Sequence, residues 1–319
     1  MMNKRNTILL ALLVAQLAII GFIARPGRNP LPAETVLFEG LQTAEVTRFV
    51  ITDDGEKSLQ VNRDKGPWQV SLGEGVMYDA DTDKIEAFLE KIQGLKSSRL
   101  VTRTAGGHDR LKVGETKYSR RIELTLKNGK QLVVFLGSAP NYKSIHVRRG
   151  GEDPVYLVKD FSAWEAAADG SAWWQSRYLS VVPDQLREVT ITNGQGKLNL
   201  LRGEEGDSWH LADQLETPLA KESLNTFLEN VSQVSLSAVV LEEKDRPTGE
   251  PLAEMTLKTV DHRVSIQIWD RPDEKSDYFA KSSDSEFYVR VGPYAVGDIL
   301  SGNAAKLIEK EKEGKEKES

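Results

Sequence analysis

The sequence contains no cysteine, and this absence excludes several kinds of chemistry. A chain without thiols has no disulfides, no zinc site with thiolate ligands, no thiol nucleophile and no lipid-modified N-terminal cysteine. Histidine is scarce as well, and no two of the four have the helical spacing of a metal-chelating pair. Each is therefore predicted to be structural or exposed: His108, His146, His210 and His262.

Positive charge is also in deficit. The chain has 42 basic and 48 acidic side chains, a formal net charge of −6, which argues against nucleic acid as a partner. A phosphate-binding loop of the form Gly-x-x-x-x-Gly-Lys-Ser/Thr is missing, so no nucleotide binding is predicted. Because no constellation of residues specifies a reaction, the sequence predicts a non-enzymatic protein with no catalytic residues, no metal ligands and no cofactor.

What the sequence does contain is an internal repeat. Trp68-Gln-Val followed by residues 79–95 recurs as Trp209-His-Leu followed by residues 217–234. In both copies the apolar positions follow the i, i+3, i+4, i+7 spacing of an amphipathic helix, and the two tryptophans are predicted to lie in the core beneath it. Five positions match at an offset of 139 residues: Ile85 with Leu224, Phe88 with Phe227, Leu89 with Leu228, Ile92 with Val231, and Leu95 with Val234.

An uncharged apolar run occupies residues 7–24. As a helix it would be roughly 27 Å long, which is close to the hydrocarbon thickness of a bilayer. The run predicts an uncleaved, single-pass anchor in a bacterial inner membrane, with a cleaved signal peptide as the alternative. Lys4 and Arg5 favour a cytoplasmic N-terminus and an extracytoplasmic body. Residues 25–32, rich in proline, predict a tether.

The rest of the chain reads mainly as strands. Hairpin patterns such as 46–52 with 58–63 and 121–126 with 131–136 predict antiparallel pairing. The predicted fold class is therefore α+β: an N-terminal transmembrane helix, then two tandem, homologous, mainly antiparallel units with one packed helix each. The predicted divisions are 1–32 for the lead, anchor and tether, 33–165 for the first repeat, 166–186 for an aromatic joint, 187–302 for the second repeat, and 303–319 for a charged, disordered tail.

The predicted joint concentrates aromatic side chains between the two repeats. Trp173, Trp174, Arg177 and Tyr178 are the candidate joint or interface residues, with packing between the repeats as their main expected role. The alternative is that Trp173 and Trp174 form a stacking platform for sugar rings, because flat indole faces suit such ligands.

Several segments resemble a bacterial family catalogued as a domain of unknown function, number 4340. They are the Trp68 strand with its following helix, His108-Asp-Arg-Leu-Lys-Val, Phe135-Leu-Gly and Trp174-Gln-Ser-Arg-Tyr-Leu. The resemblance covers most of the chain. It implies an N-terminal anchor, a repeated body and genes placed beside ABC-transporter components resembling those named after gliding motility; it supplies no catalytic residues.

The expected function is a membrane-anchored, extracytoplasmic accessory or scaffold subunit of an envelope ABC-type transport complex. Its expected partners are other membrane proteins, and residues 7–24 are expected to contact the membrane. An extracytoplasmic module that binds envelope polymer such as glycan is the alternative. An enzyme of unrecognised type and a self-assembling envelope structure stay open as well. A groove of aromatic and carboxylate side chains favours glycan, whereas a flat apolar patch favours a protein partner.

Overall fold

The computed structural model describes residues 12–17, 19–20, 34–64, 66–97, 99–203 and 208–309. The chain divides into two compact units, Met1–Trp174 and Gln175–Ser319. The division falls inside the segment 166–186 that the sequence assigns to the joint.

The described residues of the first unit form strands β1 to β11 and helix α1. Their bounds are β1 Thr35–Val36, β2 Val46–Asp53, β3 Ser58–Asn62, β4 Gln69–Gly73, β5 Val76–Asp79, α1 Thr82–Gln93, β6 Lys96–Ser97, β7 Leu100–Thr102, β8 Arg120–Leu126, β9 Gln131–Leu136, β10 Ser144–Arg149 and β11 Val155–Lys159.

Nine of these described strands make one antiparallel sheet in the order β5-β4-β3-β2-β8-β9-β10-β11-β7. Strands β1 and β6 pair separately. Tight turns join most neighbours in the sheet, as expected for the hairpin patterns in the sequence. The predicted hairpins are confirmed, with Phe49 opposite Val61 and Ile122 opposite Val134.

Helix α1 buries the apolar stripe that the repeat predicts. Ile85, Phe88, Leu89 and Ile92 are all buried, which confirms the predicted face. The carboxylate of Asp81 accepts a hydrogen bond of 3.1 Å from the Lys84 backbone N–H and so caps the first turn. The helix begins after this cap and ends before Gly94, within the repeated stretch 79–95.

A loop of residues 105–118 is fastened onto strands β9 and β10 of the first sheet. Buried Arg148 donates from Nε to the carbonyl of Val113 at 2.6 Å, and its guanidinium lies 4.3 Å from the ring centroid of Phe135. Gly137 makes the close approach possible, since a Cβ there would collide with the carbonyl of Leu111. The loop is therefore held in place by specific contacts.

The described residues of the second unit form strands β12 to β20 and helices α2 and α3. Their bounds are β12 Arg177–Ser180, β13 Glu188–Asn193, β14 Gly196–Arg202, β15 Trp209–Leu211, α2 Lys221–Val231, β16 Gln233–Val240, β17 Ala253–Lys258, β18 Arg263–Trp269, β19 Tyr278–Ser282, β20 Tyr288–Val291 and α3 Pro293–Ser301.

The two large sheets follow the same order over eight strands. The described strands of the second sheet run β12-β16-β20-β19-β18-β17-β13-β14-β15. Read from the other edge, β15-β14-β13-β17-β18-β19-β20-β16 corresponds to β4-β3-β2-β8-β9-β10-β11-β7. Along the chain, α1 lies after β4 and before β7, and α2 lies after the corresponding β15 and before the corresponding β16. The strand that follows the helix pairs with a short leading strand in each unit: β6 with β1, and β16 with β12.

Helix α2 repeats the packing of α1, with Leu224, Phe227, Leu228 and Val231 buried. Val234, which the pattern assigns to the same helix, is buried in strand β16. The pattern is wrong there because the helix ends at Val231 and an alternating strand begins two residues later.

The predicted fold class is wrong. The described chain is mostly β, with three antiparallel sheets, and the second unit carries helix α3 in addition to the single helix expected. In the part of the chain that the structure describes, no helix is both long and apolar enough to cross a membrane. Of the predicted span 7–24, residues 12–17 and 19–20 are described and helical; the rest of that prediction, the tether 25–32 and the tail beyond residue 309 lie outside the described residues.

Candidate functional site

Trp173, a predicted joint residue, lies in the core of the first unit. It is 1% exposed, and its ring centroid is 4.9 Å from that of Phe88 and 5.5 Å from that of Phe49. Its indole N–H donates to the carbonyl of Ala167 at 2.8 Å. Because the indole packs against two aromatic rings and is almost fully buried, Trp173 presents no free stacking platform.

The other three candidate residues are distributed over both units. Trp174 is half-buried in the first unit, with its ring 6.5 Å from that of Tyr78. Arg177 is exposed on β12 of the second unit. Tyr178 is buried in that unit, where its hydroxyl donates to the carbonyl of Phe287 at 2.6 Å. Burial raises the pKa of Tyr178, partly opposed by its hydrogen bond with Ser282.

Three of the four histidines have contacts of a structural kind. His108 Nε2 lies 2.8 Å from the carbonyl oxygen of Asp153, and His146 Nδ1 lies 2.7 Å from the carbonyl oxygen of Ser138. His262 lies 2.7 Å from the carboxylate of Asp284 at the surface. His210 is half-buried on β15. Within the described residues, no three histidine, aspartate or glutamate side chains are grouped in a way that could hold a metal ion.

The stability of the first unit is expected to depend on pH through His146. Burial lowers its pKa below the ordinary value of 6.5, with Arg110 and Arg99 acting in the same direction against the hydrogen bond to Ser138. At this histidine the unfolded chain binds a proton more tightly than the folded chain does. The free energy of unfolding therefore falls as the pH drops through and below about 6.5. Urea midpoints of the first unit measured from pH 8 to 5 should show this slope.

His146→Gln should reduce that slope, because the side chain no longer titrates. His262→Gln, a change at an exposed histidine of the second unit, serves as the matched control. An unchanged slope in His146→Gln would show that other groups govern the acid response of the first unit.

A polar groove opens on the second unit beside helix α2. Its volume is about 320 Å³. Lys221, Asn225 and Glu229 line it along one stripe of the helix, because residues four apart lie on the same face. The other wall consists of Pro183 and Asp184, Arg202 at the end of β14, and Trp209 at the start of β15.

Arg202 and Trp209 are positioned by the backbone around them. They are directly opposite each other in the β14–β15 pairing, and Arg202 donates to the carbonyl of Asp184 in the 3-10 turn Pro183–Gln185. This contact ties the turn to the strand and so fixes the wall of the groove.

The first unit has a groove of about 330 Å³ at the corresponding place. Arg63 donates to the carbonyls of Ala44 and Val46, both at 3.1 Å. Arg202 makes a similar contact when it donates to the carbonyl of Asp184. Four lining residues correspond in the two copies: Arg63 with Arg202, Trp68 with Trp209, Leu89 with Leu228, and Glu90 with Glu229.

The two grooves differ at the tryptophan. Trp68 is 1% exposed, and the guanidinium of Arg63 covers its ring at 4.6 Å from the centroid. Trp209 is half-buried, so the prediction of a core position under the helix is correct for Trp68 and wrong for Trp209. The physical reason is that β15 is three residues long and is the edge strand of the second sheet among the described residues, whereas β4 has β5 paired beside it.

A second exposed feature is Trp164 of the first unit, which is 87% exposed. It lies in the 3-10 turn Ala163–Glu165, where Ser162 and Glu165 form a capping box. Glu165 also pairs with Lys91 of helix α1. Phe161 and Ala166 on either side are buried, so the turn is anchored while the indole projects into solvent.

Comparison with known proteins identifies the family. A family model described as "Domain of unknown function (DUF4340)" matches residues 68–260. The chain belongs to this family. The match begins at Trp68 and extends through both helices α1 and α2 to just beyond strand β17, so it includes parts of both units and most residues of both grooves. No curated protein and no solved structure matches the chain.

Sequence reasoning missed the residues of the two grooves as candidate site residues, although the internal repeat contains a pattern that indicates them. Arg63 and Arg202, and Glu90 and Glu229, are separated by the same 139 residues as the apolar stripe. A comparison of the two copies at polar as well as apolar positions indicates these pairs, whereas a search for known catalytic spacings passes over them.

Proposed function

We propose that this protein is a non-enzymatic accessory or scaffold subunit of an envelope ABC-type transport complex. It acts on the extracytoplasmic side of the bacterial inner membrane by binding other membrane proteins of that complex. ATP is bound and hydrolysed by another chain, since this one has no phosphate-binding loop. The family resemblance, with its implied transporter neighbours, supports this choice of partner.

The presentation of Trp164 is the observation that carries the proposal. Tryptophan is highly buried on average, and it is enriched among residues that dominate binding energy at protein interfaces. The capping box and the Lys91 pair hold the turn that carries it, so little backbone entropy is lost on binding. An exposed indole on an anchored turn suits a protein partner with a matching apolar pocket.

Tyr142, which is 85% exposed, supports the same surface. Strand β10 begins at Ser144 and β11 ends at Lys159, and these two residues are direct partners in the sheet. Tyr142 precedes β10 and Trp164 follows β11, so both lie in segments that connect to the same end of this strand pair. Two exposed aromatic residues at one end of a sheet are a starting point for an interface.

Replacing the apolar indole with a charged side chain tests the proposal. Tagged full-length protein carrying Trp164→Glu should lose its membrane-protein partner in mild-detergent pull-downs from the native host. A loss of about 2 kcal/mol, roughly 30-fold in affinity, is expected for an aromatic anchor. Trp164→Phe should keep most of the binding because it keeps an apolar ring.

Tyr294→Glu provides the control, since Tyr294 is a fully exposed aromatic residue on helix α3 of the second unit. Equal recovery of the partner with Trp164→Glu and with the unchanged protein would refute the role of this surface. Failure of any membrane protein to co-purify with the unchanged protein would refute the proposed function itself.

A further inference from the structure

The groove beside helix α2 combines side chains that suit one class of ligand. Asn225 offers both an amide donor and an acceptor, Asp184 and Glu229 offer carboxylate oxygens, and Lys221 offers an ammonium group. Trp209 adds a flat apolar surface to the same cavity. Planar polar groups around an indole match a molecule that has hydroxyl groups at its edge and C–H groups on its face.

The charge of the groove favours an uncharged ligand. Among its described lining residues, the acids Asp184 and Glu229 balance the bases Lys221 and Arg202. The groove of the first unit is balanced too, by Glu86 and Glu90 against Arg63 and Lys127, although only some of these positions correspond. A site for an anion or a cation would carry an excess of the opposite sign.

The two copies are not equivalent as sites. In the first unit the guanidinium of Arg63 already occupies the face of Trp68, and the indole is sealed from solvent. In the second unit Trp209 is half-buried and contributes to the wall of the cavity. Of the two tryptophans, only Trp209 is therefore partly open to a ligand in its groove.

We propose that the groove lined by Trp209, Asn225, Glu229 and Asp184 binds a neutral saccharide. The C–H face of a sugar ring stacks on the indole of Trp209, and its hydroxyl groups donate to the carboxylates and exchange hydrogen bonds with the amide of Asn225. A volume of about 320 Å³ lies at the lower end of the range for small-molecule sites and suits one or two sugar rings. The site is separate from the surface around Trp164 and does not depend on it.

Saturation-transfer NMR on the full-length protein tests this site, with chitobiose, cellobiose and maltose as the probes. At least one disaccharide should show transfer, strongest at the C–H protons of one ring face. Trp209→Leu should abolish the transfer, and Glu229→Gln should weaken binding by about fivefold to tenfold, because a hydrogen bond from a sugar hydroxyl to a carboxylate is stronger than one to a neutral amide oxygen.

Glu90→Gln is the matched control, because Glu90 occupies the corresponding helix position beside the sealed tryptophan. It should leave binding unchanged. Glu229 and Glu90 are both exposed, so these variants are expected to fold even if Trp209→Leu does not. Absence of transfer to all three probes would overturn the proposal. Transfer that is equal in the unchanged protein and in Glu229→Gln would overturn it as well.

Discussion

Replacing Trp173 with alanine is expected to lower the free energy of unfolding of the first unit by about 3–5 kcal/mol. The indole packs against both Phe49 and Phe88, and its removal leaves a cavity between helix α1 and the sheet. The carbonyl of Ala167 also loses its donor. Since single domains have about 5–15 kcal/mol of stability, this loss brings the unit close to unfolding.

Hydrogen exchange followed by mass spectrometry resolves this effect, because it reports the stability of the two units separately. Exchange should accelerate in α1 and β2 and stay unchanged in the second unit. Trp174→Ala, a neighbouring change at a half-buried residue, should cost much less. An unchanged exchange pattern in Trp173→Ala together with loss of a binding partner would restore the predicted joint role of Trp173.

Replacing Arg148 with methionine is expected to destabilise the first unit by about 3 kcal/mol. The guanidinium donates to the buried carbonyl of Val113 at 2.6 Å and to the half-buried carbonyl of Glu152 at 3.0 Å, and a buried acceptor left without a donor costs about 1–3 kcal/mol. Its contact with the ring of Phe135 is lost too. Methionine preserves much of the apolar volume, so the loss reports mainly on the hydrogen bonds.

The variant Glu115→Gln measures what the ion pair between Arg148 and Glu115 contributes, apart from the hydrogen bonds of Arg148 to backbone carbonyls. Glu115 accepts from Arg148 at 2.8 Å, but its side chain is 66% exposed. Exposed pairs contribute up to about 1 kcal/mol, and glutamine keeps an acceptor oxygen, so this variant should be close to neutral. Urea unfolding can be followed by hydrogen exchange in residues 105–118. A large loss of stability is expected for Arg148→Met only. Similar losses in both variants would contradict the assigned role of the backbone carbonyls.

The elements predicted well from the sequence are those whose pattern is local and repeated. The stripe from Ile85 to Ile92 and its counterpart from Leu224 to Val231 have the helical period and recur at one offset, so each copy supports the other. The hairpin of β8 and β9 is marked by Lys127-Asn-Gly between two alternating runs. Such signals depend on neighbours in the chain and need no knowledge of distant contacts.

The elements missed or misplaced depend on tertiary context. Helix α3 is nine residues long and contains Gly297, so its pattern is weak, although Pro293 in the first turn is a typical helix start. Val234 fits both a helical stripe and a strand, and pairing with β12 decides for the strand. The fold class was wrong because strands dominate the layers once both nine-stranded sheets are assembled.

The candidate site was harder to predict than the fold. The aromatic cluster from Trp173 to Tyr178 indicates a joint, but an indole can pack in a core as readily as at an interface, and burial of Trp173 depends on Phe49, more than 100 residues away. Trp164, which precedes this cluster, is exposed because the capping box of Ser162 and Glu165 turns the chain at that point. Composition does not separate these two tryptophans.

Site-specific crosslinking in intact cells tests the central claim most directly. A photoreactive phenylalanine analogue at position 164 of the full-length protein should form an adduct with a membrane-embedded subunit of an ABC-type transporter, identified by mass spectrometry. The same analogue at position 294 should not form this adduct. Absence of any transporter adduct from position 164, or equal yields from both positions, would contradict a role in such a complex through this surface.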